Sequence, residues 1–176
     1  MIEGVIQSII FDSVPRLIKD PKDYGARSNI MWAGTLAHNN IFGVDRVQDW
    51  CSHKLEHELS AKYDVTHGAG LATVFPAWML YNFKVDIDLF YCFATRIMHV
   101  EENENDKESV IITGIKKYKD FLHDVLKMPT NFKELGAKEE DIPYLAKNLF
   151  VDQPKVGNFK QINENDAINI YKLMLK

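Results

Sequence analysis

Residues 49–68 read DWCSHKLEHELSAKYDVTHG and contain three of the chain's six histidines within a helical pattern. His53 and His57 are four residues apart, so on a helix both side chains project from the same side. A separate aliphatic stripe follows intervals of four along this segment: Val47, Cys51, Leu55 and Leu59. The pattern predicts a helix that begins after Asp45 as its N-cap and turns its histidines away from the stripe.

The rest of the chain is also helical in its periodicity. Apolar residues recur at intervals of three and four in the segments 2–10, 30–41, 71–79, 106–127 and 163–174. We expect Pro15 to break the first pattern, Pro76 to kink the third, and Asn163 to cap the last helix. The sequence therefore predicts an all-α fold in which residues 1–176 form a single helical domain.

Composition narrows the class of protein. The chain has 176 residues, of which 46% are hydrophobic and 26% charged, as in an ordinary globular domain. Its formal charge of −4 gives no electrostatic reason to expect nucleic acid or an anionic membrane as a partner. Two cysteines, Cys51 and Cys92, suit a reducing compartment. With no visible targeting segment, we expect a cytoplasmic protein.

The histidines point to a metal site. His67 precedes a Gly-x-Gly at a predicted helix start, where the chain can turn back and bring this imidazole beside His53 and His57. Imidazole is a common ligand for zinc and also suits iron. The alternative is that these are surface and core histidines that cluster by chance. Spacing alone leaves both interpretations open.

Several segments together resemble one known family. His53-x-x-x-His57-x-Leu59-Ser60-Ala61 followed by His67-Gly68 resembles the C-terminal helical domain of iron-dependent (group III) alcohol dehydrogenases, in particular their butanol dehydrogenase branch. The resemblance extends over the whole chain. Further segments that carry it are Asn29-Ile30-Met31-Trp32-Ala33, Asp49-Trp50 and Ala72-Thr73-Val74-Phe75-Pro76-Ala77-Trp78.

The resemblance implies roles for the three histidines. His53 and His67 match the family's metal-ligand histidines, and the implied metal is divalent iron or zinc, which binds the alcohol oxygen. His57 matches the histidine that stays unligated near the nicotinamide and substrate, and is the candidate catalytic residue for relaying a proton. The implied reaction is hydride transfer between a small alcohol or aldehyde and NAD or NADP.

The same resemblance implies that this chain is only part of an enzyme. The family adds metal ligands from an Asp-x-x-x-His pair on an upstream helix and binds the nucleotide in an N-terminal domain. No G-x-G-x-x-G motif occurs in residues 1–176. We therefore expect the N-terminal nucleotide-binding domain to be absent and the chain alone to be inactive. A former domain interface left exposed could promote self-association into a homo-oligomer.

Two other functions remain open from the sequence. One is a non-catalytic, stand-alone helical module or gene fragment. The other is a helical metal-dependent hydrolase, a class that usually has an adjacent His-Asp pair in its site. The chain has this dipeptide only at His123-Asp124, away from the histidine cluster in sequence.

Overall fold

The computed structural model describes residues 2–176. Within these residues the regular structure is helical, apart from one isolated antiparallel bridge between Val156 and Ile162. The predicted all-α fold is confirmed. The chain divides into two compact units, one that ends at Val47 and one that spans Gln48–Lys176. The single domain over residues 1–176 stays a prediction. Every helix in residues 2–176 is too short or too polar to cross a bilayer.

The first unit is built from three α-helices. They are α1 (Ile2–Ser8), α2 (Val14–Lys19) and α3 (Tyr24–His38), with a π-helical segment at Ile9–Ser13 and a 3-10 turn at Ile41–Gly43. The expected break at Pro15 is wrong. Proline lies here in the first turn of α2, and the helical backbone runs into that turn without interruption from the π-helical segment, in which the N–H of Val14 donates to the carbonyl of Ile9.

Polar contacts define the start of α3. Asp23 is its N-cap and accepts a hydrogen bond from the backbone N–H of Ala26 at 3.0 Å. The same carboxylate receives two bonds from the Arg16 guanidinium, both at 2.9 Å, which lower the pKa of Asp23. This unit also exposes many large apolar side chains: Phe11, Ile18, Tyr24, Met31, Trp32, Ile41, Val44 and Val47.

The second unit contains the remaining seven α-helices of the described chain. They are α4 (Cys51–Tyr63), α5 (His67–Asn82), α6 (Ile87–Cys92), α7 (Lys107–Asp120), α8 (Phe132–Leu135), α9 (Ile142–Asn148) and α10 (Glu164–Leu173). One apolar cluster joins α4 and α5 to α8, α9 and α10. A second cluster joins the C-terminal half of α5 to α6 and α7. Helix α5 contributes to both.

Helix α4 begins later than the sequence predicts. Asp45 is not its N-cap but has a left-handed backbone with φ 57°, and Val47 is 84% exposed rather than part of the stripe. The reason is a tertiary contact to the residues before the helix. The backbone N–H of Asn158 donates to Asp49 Oδ1 at 2.7 Å, and Asn158 Nδ2 donates to the carbonyl of Gln48 at 2.8 Å.

Two contacts from the C-terminal part of the chain then hold α4 in place. The hydroxyl of Tyr171, on α10, donates to the carbonyl of Leu55 at 2.9 Å, and burial raises the pKa of this phenol well above its usual range. Gly157 lies against the start of α4 with φ +95°, and a Cβ there would lie 2.6 Å from the carbonyl oxygen of Lys160. The position therefore requires glycine.

Other boundaries agree with the predictions. Asp106 caps α7 by accepting from the N–H of Ser109, and the β-branched run at 109–113 is helical. Asn163 caps α10 in a reciprocal capping box with Asp166. Helix α5 continues across Pro76, and the kink expected there stays a prediction.

Candidate metal centre

The start of α5 lies beside the middle of α4 and brings the three predicted histidines together. The ring centroid of His67 is 5.4 Å from that of His53 and 5.7 Å from that of His57. His57 is exposed, and the His67 side chain is 50% exposed. The structure therefore places all three imidazoles in one surface cluster, with His67 near both of the others.

Two aromatic rings pack against the imidazole of His53. The indole of Trp50 meets its ring edge-on at a centroid distance of 4.9 Å, and Phe75 from α5 meets it at 6.2 Å and 90°. Burial lowers the pKa of His53, and the nearby rings of His67 and His57 lower it further. Its Nδ1 is buried and has no hydrogen-bond partner within residues 2–176. A buried nitrogen without a protein partner is a position that an ion or a water can complete.

A buried carboxylate lies behind His67. Glu56 is fully buried, and its Oε2 is hydrogen-bonded to Nδ1 of His67. Its Oε1 accepts from the hydroxyl of Ser60, which also contacts the carbonyl of Val65 at 3.1 Å. With Nδ1 engaged in this way, Nε2 is the His67 nitrogen open to a metal.

One group of potential metal-binding side chains stands out in residues 2–176. It comprises Glu56, His57 and His67, each of which offers one ligand atom within 4.8 Å of the others. This group includes His67 and His57 from the predicted set and adds Glu56 in place of His53. The donors are imidazole and carboxylate, which suit zinc and iron, so the residues present fit a divalent metal. The assignment of His53 and His67 as ligands and His57 as the catalytic residue stays a prediction.

The Asp-x-x-x-His spacing of the family's other ligands occurs once in this sequence, at Asp49 and His53. Asp49 uses Oδ1 to accept the backbone N–H groups of Asn158 and Phe159, at 2.7 and 3.4 Å. Its contacts are therefore those of a structural clamp on the segment before α4. The spacing does not supply a second ligand pair.

The His-Asp dipeptide considered for a hydrolase has a different place. His123 lies in the π-helical segment Phe121–Val125, and its Nδ1 pairs with the neighbouring Asp124 at 2.7 Å. Its Nε2 lies 3.3 Å from Glu134. The hydrogen bond that His123 donates to Asp124 raises the pKa of His123, as in a surface ion pair. Neither residue belongs to the group of potential metal ligands found in residues 2–176.

Comparison with known proteins gives the family. The sequence model described as "Fe-containing alcohol dehydrogenase family, C-terminal" matches residues 1–175. The chain belongs to this family. It corresponds to the C-terminal part of oxidoreductases whose members include named butanol dehydrogenases, and the predicted resemblance is confirmed.

Individual members of the Fe-containing family support this placement. The NADH-dependent butanol dehydrogenase B of Clostridium acetobutylicum is 32% identical over 157 residues, which cover 88% of this chain and 40% of that protein. The NADPH-dependent aldehyde reductase YqhD of Escherichia coli is 33% identical over 170 residues, covering 96% and 41%. The chain thus spans about two-fifths of the length of these curated relatives.

A solved structure of the family superimposes closely. The NADH-dependent butanol dehydrogenase A of Thermotoga maritima matches with a TM-score of 0.91 and 36% identity, over 99% of this chain and 45% of that one. The helical arrangement around the histidines is therefore that of the family.

Glu56 is not among the site residues predicted from the sequence, although its position carries a signal. Ser52, Leu55, Glu56 and Leu59 follow the i, i+3, i+4, i+7 spacing of a buried helix face, and all four are buried. A glutamate in such a position is unusual unless it is paired. Its partner, His67, lies on the next helix, and the residue spacing within α4 carries no information on that contact.

Proposed function

We propose that this chain is the metal-binding, C-terminal part of an iron-type alcohol dehydrogenase that interconverts an alcohol and an aldehyde by hydride transfer. The observation that carries the proposal is the convergence of His53 and His57 on His67, at centroid distances of 5.4 and 5.7 Å, in a chain of the Fe-containing family. Relatives named as butanol dehydrogenases and an aldehyde reductase support a small alcohol or aldehyde as substrate.

His53 and His67 are the residues we propose to hold the metal, iron or zinc. The lowered pKa of His53 favours its neutral form, which keeps a lone pair available at neutral pH. The contact of Glu56 with Nδ1 of His67 directs the other nitrogen of that ring outward. A divalent metal, when bound, supplies Lewis-acid chemistry that lowers the pKa of an alcohol oxygen.

The side chains around the proposed ligands would handle the proton and limit the access of water. His57 is exposed beside His67, so it can exchange a proton with solvent and with a bound alcohol. Trp50 and Phe75 cover the His53 ring and reduce the access of water to it. We propose that the nicotinamide cofactor, NAD or NADP, binds to an N-terminal part such as the relatives have, because residues 1–176 lack a glycine-rich dinucleotide motif.

The 176-residue chain by itself should show no measurable butanal reduction with NADH or NADPH, even with Fe²⁺ or Zn²⁺ added. The physical reason is that it has no proposed cofactor site and only part of the ligand set. A fusion behind the N-terminal part of the Thermotoga maritima enzyme serves as the positive control, assayed by loss of nicotinamide absorbance. Steady turnover by the chain alone would contradict the proposal.

In that fusion, His57→Ala should lower kcat by roughly 10²–10⁴-fold, the usual contribution of a general acid or base. Metal content should stay at the level of the parent, because His57 is proposed as a proton carrier and not as a ligand. The matched control is His38→Ala, which removes an exposed histidine of α3. Loss of the metal together with activity in His57→Ala would instead make His57 a ligand.

A further inference from the structure

Glu56 is a buried acid whose two oxygens both have partners at the histidine cluster. Oε2 contacts Nδ1 of His67, and Oε1 accepts from Ser60. The side chain is 0% exposed, whereas the His67 side chain is 50% exposed. The carboxylate therefore lies behind the imidazole, on its protein side, and the rest of the ring reaches the surface.

The direction of the bond between Glu56 and His67 follows from the charge on Glu56. An ionised carboxylate can only accept, so with Glu56 ionised the shared proton belongs to Nδ1 of His67. A neutral imidazole with its proton on Nδ1 carries its lone pair on Nε2. The contact thus selects one tautomer and fixes the angle of the ring about that bond. Metal-binding histidines almost always donate the N–H of their second nitrogen to a carboxylate, a backbone carbonyl or a water.

The neighbouring helix leaves space for this carboxylate at a glycine. A Cβ on Gly70 would lie 2.6 Å from Cγ and 2.9 Å from Cδ of Glu56, closer than real Cβ contacts. Gly68, one residue after His67, has no such restriction, since a Cβ there would meet no heavy atom within 4 Å. The tight approach at Gly70 ties the position of Glu56 to that of α5 and His67.

We propose that Glu56 is a positioning residue that holds His67 as the Nδ1–H tautomer and thereby presents Nε2 to the metal. The part of this inference that concerns the metal rests on the proposed function, whereas the part that concerns the tautomer of His67 does not. Glu56 is not itself a ligand in this account, because both of its oxygens are engaged and the group is fully buried. His67 is the residue through which it acts.

The direct test is the protonation pattern of His67 in the metal-free 176-residue chain. Two-bond ¹H–¹⁵N spectra of the imidazoles distinguish the two neutral tautomers, and a His67→Gln variant assigns the signal. We expect the Nδ1–H tautomer in the parent. In Glu56→Ala we expect the His67 pattern to move to that of the exposed His38. Glu56→Gln should retain the Nδ1–H form, because its amide oxygen can still accept.

Zn²⁺ affinity, measured by calorimetry with zinc alone as the probe, gives the second readout. Glu56→Ala should weaken binding about 10–100-fold, the typical cost of losing such a partner, and Glu56→Gln should rescue most of that loss. The matched control is Glu58→Gln on the same helix, whose side chain bonds to Asn148 instead. Circular dichroism checks that each variant is folded.

Three results would overturn the inference. One is an unchanged His67 tautomer in folded Glu56→Ala. Another is unchanged zinc affinity in that variant. The third is an equal loss of zinc affinity in Glu56→Ala and Glu56→Gln while the His67 tautomer is unchanged. That result would make Glu56 a ligand. If the parent chain binds no zinc at all, the proposed metal role fails, while the tautomer spectra still decide whether Glu56 positions His67.

Discussion

Fusing this chain behind the N-terminal part of the Thermotoga maritima butanol dehydrogenase A should raise its affinity for Zn²⁺ by roughly 10²-fold or more. Of the ligands we propose, the chain alone offers only the imidazoles of His53 and His67, so water would complete the coordination. Loss of outer-shell support already costs about 10–100-fold in affinity, and a missing ligand costs more. Competition against a chromophoric chelator at fixed pH measures both affinities.

Single histidine substitutions make this prediction specific. His53→Ala or His67→Ala should abolish the residual zinc binding of the 176-residue chain, whereas His38→Ala should leave it unchanged. Acidification should also release zinc, because protonated imidazole is not a ligand. The lowered pKa of His53 means that this residue loses its lone pair only at a pH below the ordinary histidine range. Tight binding that survives both substitutions would place the ligands elsewhere.

Gly70→Ala should destabilise the chain by about 2–4 kcal/mol, although alanine is the better helix former. Replacing glycine in a helix interior normally stabilises by roughly 0.5–1 kcal/mol. Here the new Cβ would lie 2.6 Å from Cγ of Glu56, so the buried carboxylate must move and lose its contacts. Overpacking and the loss of hydrogen bonds to a buried carboxylate both carry large costs. Chemical denaturation followed by circular dichroism gives the free energy of unfolding.

The control for this prediction lies on the same helix. Gly68→Ala has open space around its new Cβ and should be neutral or slightly stabilising. Combining Gly70→Ala with Glu56→Ala should recover most of the loss, because the clash is with that side chain. Equal effects of Gly68→Ala and Gly70→Ala, or additive costs in the double variant, would contradict the tight packing described here.

Helical periodicity is sufficient to predict the all-α fold class. Each helix buries one face, and the apolar residues of that face recur at intervals of three and four in the sequence. The caps at Asp106 and Asn163 follow from local hydrogen bonds, since each side chain accepts from an N–H three residues later. The start of α4 does not follow from local signals. Its position depends on Asn158, which is distant in sequence and binds Gln48 and Asp49.

In the candidate site, too, some features follow from the sequence spacing and others depend on the packing of helices. The i, i+4 spacing of His53 and His57 predicts that they share a helix face, and the glycines after His67 indicate where the chain turns back. The role of Glu56 depends on the packing of α5 against α4, which places Gly70 and His67 around one carboxylate. The ring of Phe75 reaches His53 through the same packing. Spacing within one helix carries no information on such contacts.

The central claim is that His53 and His67 bind a divalent metal while His57 stays free beside it. Anomalous diffraction at the zinc edge, from crystals of the fusion grown with Zn²⁺, locates the ion directly. The account predicts one ion with Zn–N distances of about 2.0–2.1 Å to both His53 and His67, and no bond to His57 or Glu56. An ion bound instead by Glu56, His57 and His67, or by none of these histidines, would contradict it.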